Sequence, residues 1–369
     1  MKILLLANHL NAGGITTCLL TLGKEYVRRG HQVTIASSGG GCVAAAAAAG
    51  IGHLMVPELR VKCEYHPVLI RAVLTISRFV RVETVDILHA HTRVTQMVAA
   101  ISGVTTHCPY VSTCHGFFKL RLSRFLFPLW GKTVVAISRA VVDHLVLAFK
   151  VPPERVVLVP NGIDAERFKP RSPAERLMIR ERFGLNPGAP IVGTIGRLSD
   201  VKGQEYLIKA MDLLRRRIPG VKCFIVGEGP MEESLKSLVQ SVGLELNVIF
   251  LPIMGFPEEV LPVFDVFAMP SLQEGLGLSV MEASACGIPV VASRVGGLVE
   301  AVNSGETGLL VPARDPDALA AALERLLLDK ALAERLGSAG RRRIIADFSI
   351  AVMVDKTLDV YRKVVSLHA

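Results

Sequence analysis

At 369 residues, half of them hydrophobic and a fifth charged, the chain has room for two domains of about 150–200 residues and is too apolar to be disordered. Its seven cysteines (Cys18, Cys42, Cys63, Cys108, Cys114, Cys223, Cys286) form an odd set without a Cys-x-x-Cys pair. They point away from a zinc site or a disulfide framework and fit a reducing cytoplasm. The net charge of +9 is unevenly spread: residues 1–165 hold 17 Lys/Arg against 8 Asp/Glu, and residues 166–369 hold 25 of each. The first half is therefore expected to face something anionic, such as nucleic acid, lipid headgroups or a phosphorylated glycan.

The apolar start, Met1 to Ala7, is cut short by Asn8 and His9 and reads as a first strand, not as a signal peptide. Asn11-Ala12-Gly13-Gly14 follows it. This is not Gly-x-Gly-x-x-Gly, which counts against a dehydrogenase. Two glycines before a helix suit close approach to a phosphate or acceptor, and a plain tight turn explains them too. The alanine run within Cys42–Gly52 predicts a small, closely packed helix. No segment approaches the ~18–20 apolar residues of a spanning helix.

Further strands are predicted at Gln32–Ala36, Ile87–Ala90, Tyr110–Thr113 and Val134–Ile137, alternating with helical patterns. His89 and His91 share a strand face. No third metal ligand accompanies them, so they are read as crevice lining or hydrogen-bonded packing. His115 follows Tyr110–Thr113 and is placed at a strand end facing the crevice, with a satisfied structural histidine as the alternative.

From Phe117 the chain mixes Phe117, Phe118, Phe125, Phe127 and Trp130 with Lys119, Arg121, Arg124 and Lys132. That mixture predicts an interfacial membrane element, assisted by Ile70–Val82 with Arg71, Arg78 and Arg81. The alternative is a buried aromatic cluster with solvated cations. A nucleic-acid patch is disfavoured because no recognition motif accompanies it.

Val159-Pro160-Asn161-Gly162-Ile163-Asp164, followed by Pro170 and Pro173, marks the domain boundary. Strands then recur at Ile191–Ile195, Lys222–Val226, Val248–Leu251, Val266–Met269 and Val290–Ala292. Two sets of alternating strands and helices predict two doubly wound α/β domains, with ligands at the carboxyl ends of the strands. In the second domain, the strand Val266–Met269 leads into a loop with Glu274, Gly275 and Gly277, and then a helix from Leu278 carrying Glu282. Glycines allow a ligand close to the backbone, and a helix N-terminus can hold a phosphate. A solvated Glu274 and a Glu282 that merely complements the helix dipole are the alternative. Arg197 and Lys202, five residues apart after Ile191–Ile195, suit a diphosphate that gains charge as its sugar departs. Two exposed cations flanking a turn are the bland reading. Asp315-Pro316-Asp317 imitates an Asp-x-Asp metal motif but precedes a helix, where Asp followed by Pro is an ordinary cap.

The spacing Glu274-x7-Glu282 resembles the signature of retaining GT-B glycosyltransferases of family 4. Gly193-Thr194-Ile195-Gly196-Arg197-Leu198-Ser199-Asp200-Val201-Lys202-Gly203, Gly227-Glu228-Gly229-Pro230, Pro160–Asp164, and Gly296-Gly297 with Glu300 resemble further pieces of that family in the same order. The resemblance runs from Asn11 to about Pro312. It implies a GT-B fold with an acceptor domain over 1–164, a nucleotide-sugar domain over 165–350, and a helix in 351–369 returning to the first domain. It also implies retaining, metal-independent transfer from a nucleotide diphosphate sugar, with no cofactor.

In that resemblance Glu282 takes the ribose hydroxyls and Glu274 the sugar hydroxyls. Gly196, Arg197, Lys202, Gly227, Gly277 and the N–H groups of Leu278, Ser279 and Val280 hold the diphosphate. His115 meets the transferred sugar, and Gly13 and Gly14 an acceptor or phosphate. Leu276 replaces the usual aromatic and leaves the sugar open. The acceptor expected is a glycan or lipid-linked chain of the cell-envelope polysaccharide or lipopolysaccharide type, at the cytoplasmic face of an anionic membrane. A nucleotide-sugar epimerase and a catalytically inactive nucleotide-sugar-binding protein are the rival readings; acceptor-free release of nucleotide would mark the first and absence of turnover the second.

Overall fold

The computed structural model describes residues 1–11, 13–186, 188–252 and 257–368. It divides into two compact units, Met1–Gly162 with Ile350–Ala369, and Ile163–Ser349. The division falls at Gly162 rather than at Asp164.

The first unit holds seven strands: β1 Lys2–Leu6, β2 Gln32–Ser37, β3 Gly52–Met55, β4 Ile87–Ala90, β5 Tyr110–Cys114, β6 Thr133–Ala136 and β7 Val156–Leu158. They lie in the order β3-β2-β1-β4-β5-β6-β7, all parallel. The second unit holds β8 Ile191–Ile195, β9 Lys222–Val226, β10 Val248–Leu251, β11 Val266–Met269, β12 Val290–Ser293 and β13 Leu309–Val311. Their order is β10-β9-β8-β11-β12-β13, again parallel. Parallel sheets are covered by helices on both faces, which is why β1, β4, β11 and β12 are largely apolar and buried almost throughout. Strand order reverses between β1 and β4 and between β8 and β11. A crevice opens at such a switch point, outside the carboxyl ends of the strands.

The final helix, Ile350–Ser366, belongs to the first unit. Its Met353, Val354, Leu358, Tyr361 and Val364 join the core formed by Leu19, Leu22 and Tyr26 of the helix Gly14–Arg28 and by one sheet face. The alanine run does form a helix, Val43–Ala48, but only Ala46 of it is buried, so close packing was the wrong expectation. A short alanine surface has little area to bury, and tertiary anchoring of this helix is correspondingly slight.

Candidate functional site

The densest group of predicted residues sits at the β8/β11 switch point. The loops after β8 and β9 are laced together: Gly196 N–H donates to Val226 O (3.0 Å), Leu198 N–H to Glu228 O (2.9 Å) and Met231 N–H to Leu198 O (3.2 Å). Gly227 permits this. Its φ is +155°, and a Cβ there would stand 1.9 Å from Gly196 O. Gly196 and Gly227 thus bring two backbones together at the mouth of the sheet.

After β8 a single 3-10 turn, Asp200–Lys202, precedes the helix Gln204–Arg215. The loop after β11 bonds to that turn through Leu272 N–H to Val201 O (2.8 Å). This sets the Lys202 ammonium against the Glu274 carboxylate in a hydrogen-bonded ion pair, both side chains partly shielded. Arg197 stays exposed, and its carbonyl accepts from Gln204 Nε2 (3.0 Å). Among the described residues its guanidinium has no ion-pair partner.

Gly277 has φ +88° and is the N-cap of the helix Leu278–Ala285, with no capping side chain. The first intrahelical bond runs from Met281 N–H to Gly277 O (3.1 Å). The N–H groups of Leu278, Ser279 and Val280 therefore lack helical acceptors and expose the positive end of the dipole. Ammonium, guanidinium and open N–H groups at one switch point suit an anion with several oxygens.

Glu282 lies a turn inside that helix and is 9% exposed. No hydrogen bond reaches its carboxylate among the described residues. Burial pushes its pKa up to about 7, against the pull of Arg167 and with Glu258 adding to the rise. Arg167 is itself committed to Glu258 by two bonds of 2.8 and 2.9 Å. A carboxylate this little exposed is costly to charge, and a ligand offering hydroxyls would relieve it. Leu276 is 2% exposed and points into the protein, so it does not line a sugar pocket.

In the first unit Gly13 caps the helix Gly14–Arg28 without a side-chain bond, and a Cβ on Gly13 would meet nothing within 4 Å. Ala12 lies outside the described residues. His115 stands just past β5, half-buried, and its Nε2 is 2.9 Å from His91 Nδ1. Burial holds the His115 pKa down to about 4, so the ring is neutral at pH 7.

The aromatic–basic stretch divides. Trp130 is 2% exposed and packs against Phe118 and Phe149, which corrects its assignment to the membrane. Its apolar ring is used inside the unit. Phe117 and Phe118 are half-buried, the former against His144. Arg124 is drawn inward too, donating to Lys119 O (2.9 Å) and lying 4.5 Å over the Phe118 ring. Lys119 and Arg121 remain exposed, with Leu120, Leu122, Phe125 and Phe127 beside them.

Asp315 accepts from Ala318 N–H at 2.9 Å and caps the helix Pro316–Leu328, as its position before Pro316 suggests.

A family model described as Glycosyl transferases group 1 matches residues 175–343, and one described as Glycosyltransferase Family 4 matches residues 12–167. The chain is 31% identical over 305 residues to alpha-maltose-1-phosphate synthase of Mycobacterium tuberculosis, covering 75% of this chain and 79% of that enzyme. The chain belongs to the group 1 glycosyl transferases.

This glycosyltransferase is also 41% identical over 219 residues to a GDP-mannose-dependent alpha-(1-6)-phosphatidylinositol monomannoside mannosyltransferase of Mycolicibacterium smegmatis. That match spans only 56% of either chain. Its fold is that of Anabaena HepE, solved with UDP and glucose (TM-score 0.86, 23% identity, 98% and 100% of the two chains). WaaG, a glycosyltransferase of lipopolysaccharide biosynthesis, shares it as well (TM-score 0.77, 17% identity, 97% and 99% covered). These are GT-B neighbours, so each unit of the transferase is a Rossmann-like GT-B domain.

Three site features escape a sequence reading of this glycosyltransferase. The Arg167–Glu258 pair beside Glu282 joins residues with no shared motif. The Lys202–Glu274 pair depends on β8 lying beside β11. The contact of His91 with His115 depends on the pairing of β4 with β5.

Proposed function

We propose that this transferase moves a sugar, with retention and without a metal ion, from a nucleoside diphosphate sugar to a glycan or lipid-linked acceptor at an anionic membrane surface. The observation that carries the reading is the Lys202–Glu274 pair beside Arg197 and the open helix end at Leu278–Val280. As the glycosidic bond to phosphate breaks, negative charge grows on the diphosphate. Lys202, Arg197 and the three N–H groups meet that charge, and preorganised charges act more strongly on a transition state than on the ground state. Glu274 is then free for the sugar hydroxyls, Glu282 accepts from the ribose, and His115 contacts the transferred sugar. The departing phosphate takes the acceptor proton. The mannosyltransferase relative named above supports a lipid-linked acceptor, since its name specifies a phosphatidylinositol monomannoside.

A thermal-shift panel of nucleotide sugars, GDP-mannose and UDP-glucose among them, tests the donor class. A ligand present at 100 times its Kd adds about 2.7 kcal/mol of stability. No stabilisation by any nucleotide sugar would overturn the reading.

Because side-chain and backbone charges face the diphosphate, turnover should survive excess EDTA. Loss of activity restored by manganese or magnesium would contradict this. Metal ions serve many phosphate sites as Lewis acids; here Lys202 and Arg197 do that work.

No helix among the described residues is long and apolar enough to cross a membrane. Attachment is proposed instead through an exposed face of the first unit. On the helix Leu69–Glu83, Ile70, Leu74 and Val82 are 66%, 64% and 70% exposed, with Arg71, Arg78 and Arg81 exposed between them. The Tyr65 ring, a few residues ahead of this helix, meets Phe127 of the Lys119–Phe127 stretch at 6.2 Å. Each Lys or Arg at an anionic surface contributes about 1 kcal/mol, screened by salt. The protein should sediment with phosphatidylserine-containing vesicles at low salt and be partly released at high salt. Replacing Lys119, Arg121, Arg71, Arg78 and Arg81 by Ser should weaken that binding and spare donor binding. Indifference to anionic vesicles at every ionic strength would refute the membrane face.

A further inference from the structure

We infer that His91 is a positioning residue that fixes which nitrogen of His115 carries the proton, and so what His115 offers to the transferred sugar. The inference rests on the assignment of His115 to that sugar.

β4 and β5 are neighbours in register, His89 level with Val111 and Ala90 with Ser112. A histidine follows directly on each strand end, and alternation puts His89, His91, Thr113 and His115 on one face. The result is a polar column. Tyr361 OH lies 2.5 Å from His89 Nδ1, and His89 Nε2 lies 2.7 Å from Thr113 Oγ1. The His89 and His91 rings are 4.0 Å apart, and the His91 and His115 rings stack at 5.2 Å with 27° between their planes. His91 is 2% exposed and held between its two neighbours.

Among the described residues the only side-chain hydrogen bond of His91 is the one to His115, Nδ1 to Nε2 at 2.9 Å, and its buried Nε2 has no partner there. Burial keeps both rings neutral. One of the two nitrogens facing each other must then donate, and that choice settles both tautomers. If His115 donated, His91 would keep its proton on Nε2, leaving a buried N–H without an acceptor. If His91 donates from Nδ1, the orphan is an unprotonated nitrogen, which is the better tolerated of the two. His91 therefore donates, and His115 carries its proton on Nδ1. That nitrogen has no protein partner among the described residues, so it is free to donate to a hydroxyl oxygen of the sugar.

The test compares His91→Phe, His91→Asn and His115→Ala in the full chain. An Asn amide takes the place of Nδ1; Phe removes the bond and keeps the ring. Imidazole nitrogen NMR should show His115 protonated on Nδ1 in the wild type and in H91N, and a mixture of tautomers in H91F. With the nucleotide sugar that stabilises the protein most, H91F should lose roughly 10–100-fold in kcat with the donor KM changed less than about twofold, because misaligned groups lose rate more than binding. H91N should recover most of that loss. Should H91F fail to fold, His91→Gln replaces it, since its amide reaches the Nε2 position instead and leaves the bond unmade. Wild-type kcat and an unchanged His115 tautomer in H91F, or in H91Q where that stands in, would overturn the inference, as would equal losses in it and H91N. Full activity of H115A would instead remove the sugar contact itself and with it the reading on which the inference stands.

Discussion

Lys202→Ala is expected to lower turnover by about 10²–10³ while the melting temperature hardly moves. Two effects compete in this variant. In the unliganded protein the change breaks the pair with Glu274, whose side chain is 15% exposed beside a Lys202 that is 22% exposed. Pairs open to solvent are worth roughly 0–1 kcal/mol, and this one is only partly shielded, so the loss of stability is small. In the transition state the change removes one preorganised charge from a departing diphosphate, and such a loss is worth about 2.7–4 kcal/mol in the barrier. The second effect is several times the first, so rate and stability should separate. Arg197→Ala is the cleaner variant, because Arg197 is exposed and is held by no carboxylate among the described residues. It should lose rate on a similar scale with no change in melting. Near-normal activity in both variants would end the assignment of these cations to the diphosphate.

Nucleotide-sugar affinity should rise with pH and level off above about 7, through the ionisation of Glu282. Its pKa is pushed up to about 7 by burial, with Arg167 pulling it down and Glu258 raising it. Ribose hydroxyls donate to the carboxylate and not to its protonated form at full strength. Affinity should therefore fall by up to tenfold per pH unit below 7. The diphosphate of a nucleotide sugar does not titrate in this range, so the change reports on the protein.

The stability term has its own sign. A group whose pKa is raised in the fold stabilises it below the unfolded value of 4.5, and loses that contribution as pH rises to about 7. A shift of this size corresponds to about 3 kcal/mol. Glu282→Gln should accordingly bind nucleotide sugar weakly at every pH, yet melt no lower than wild type at pH 8. Titration calorimetry from pH 5.5 to 8.5 checks the first part. An affinity that is flat with pH in the wild type would remove Glu282 from the ribose.

Central strands were readable in the sequence because burial on both faces makes them largely apolar. Ile87–Ala90, Ile191–Ile195, Lys222–Val226 and Val266–Met269 have the bounds their largely aliphatic runs suggest, and so does the edge strand Val248–Leu251, whose four residues are all apolar. The strands that were missed, β3, β7 and β13, all stand at sheet edges. Each is three or four residues long and partly exposed, and β3 contains a glycine and a histidine, so neither length nor alternation marks them.

The candidate site was readable motif by motif, and its pairings were not. Lys202 and Glu274 each stand out beside their own strand, but only the order β9-β8-β11 brings them together. His91 lacked a third partner in the sequence because His115 reaches it through strand pairing. Trp130 looked suited to a membrane because composition alone cannot tell an exposed ring from one packed against Phe118 and Phe149.

The most direct measurement is release of nucleoside diphosphate by the purified protein with its best-stabilising nucleotide sugar, with and without vesicles of total cell lipid, followed by proton NMR of the extracted product. Release should depend on the vesicles, continue in EDTA, be lost in Lys202→Ala, and yield a product whose anomeric proton keeps the configuration of the donor. Release of nucleotide at the same rate without any acceptor, or a product with the opposite anomeric configuration, would contradict this.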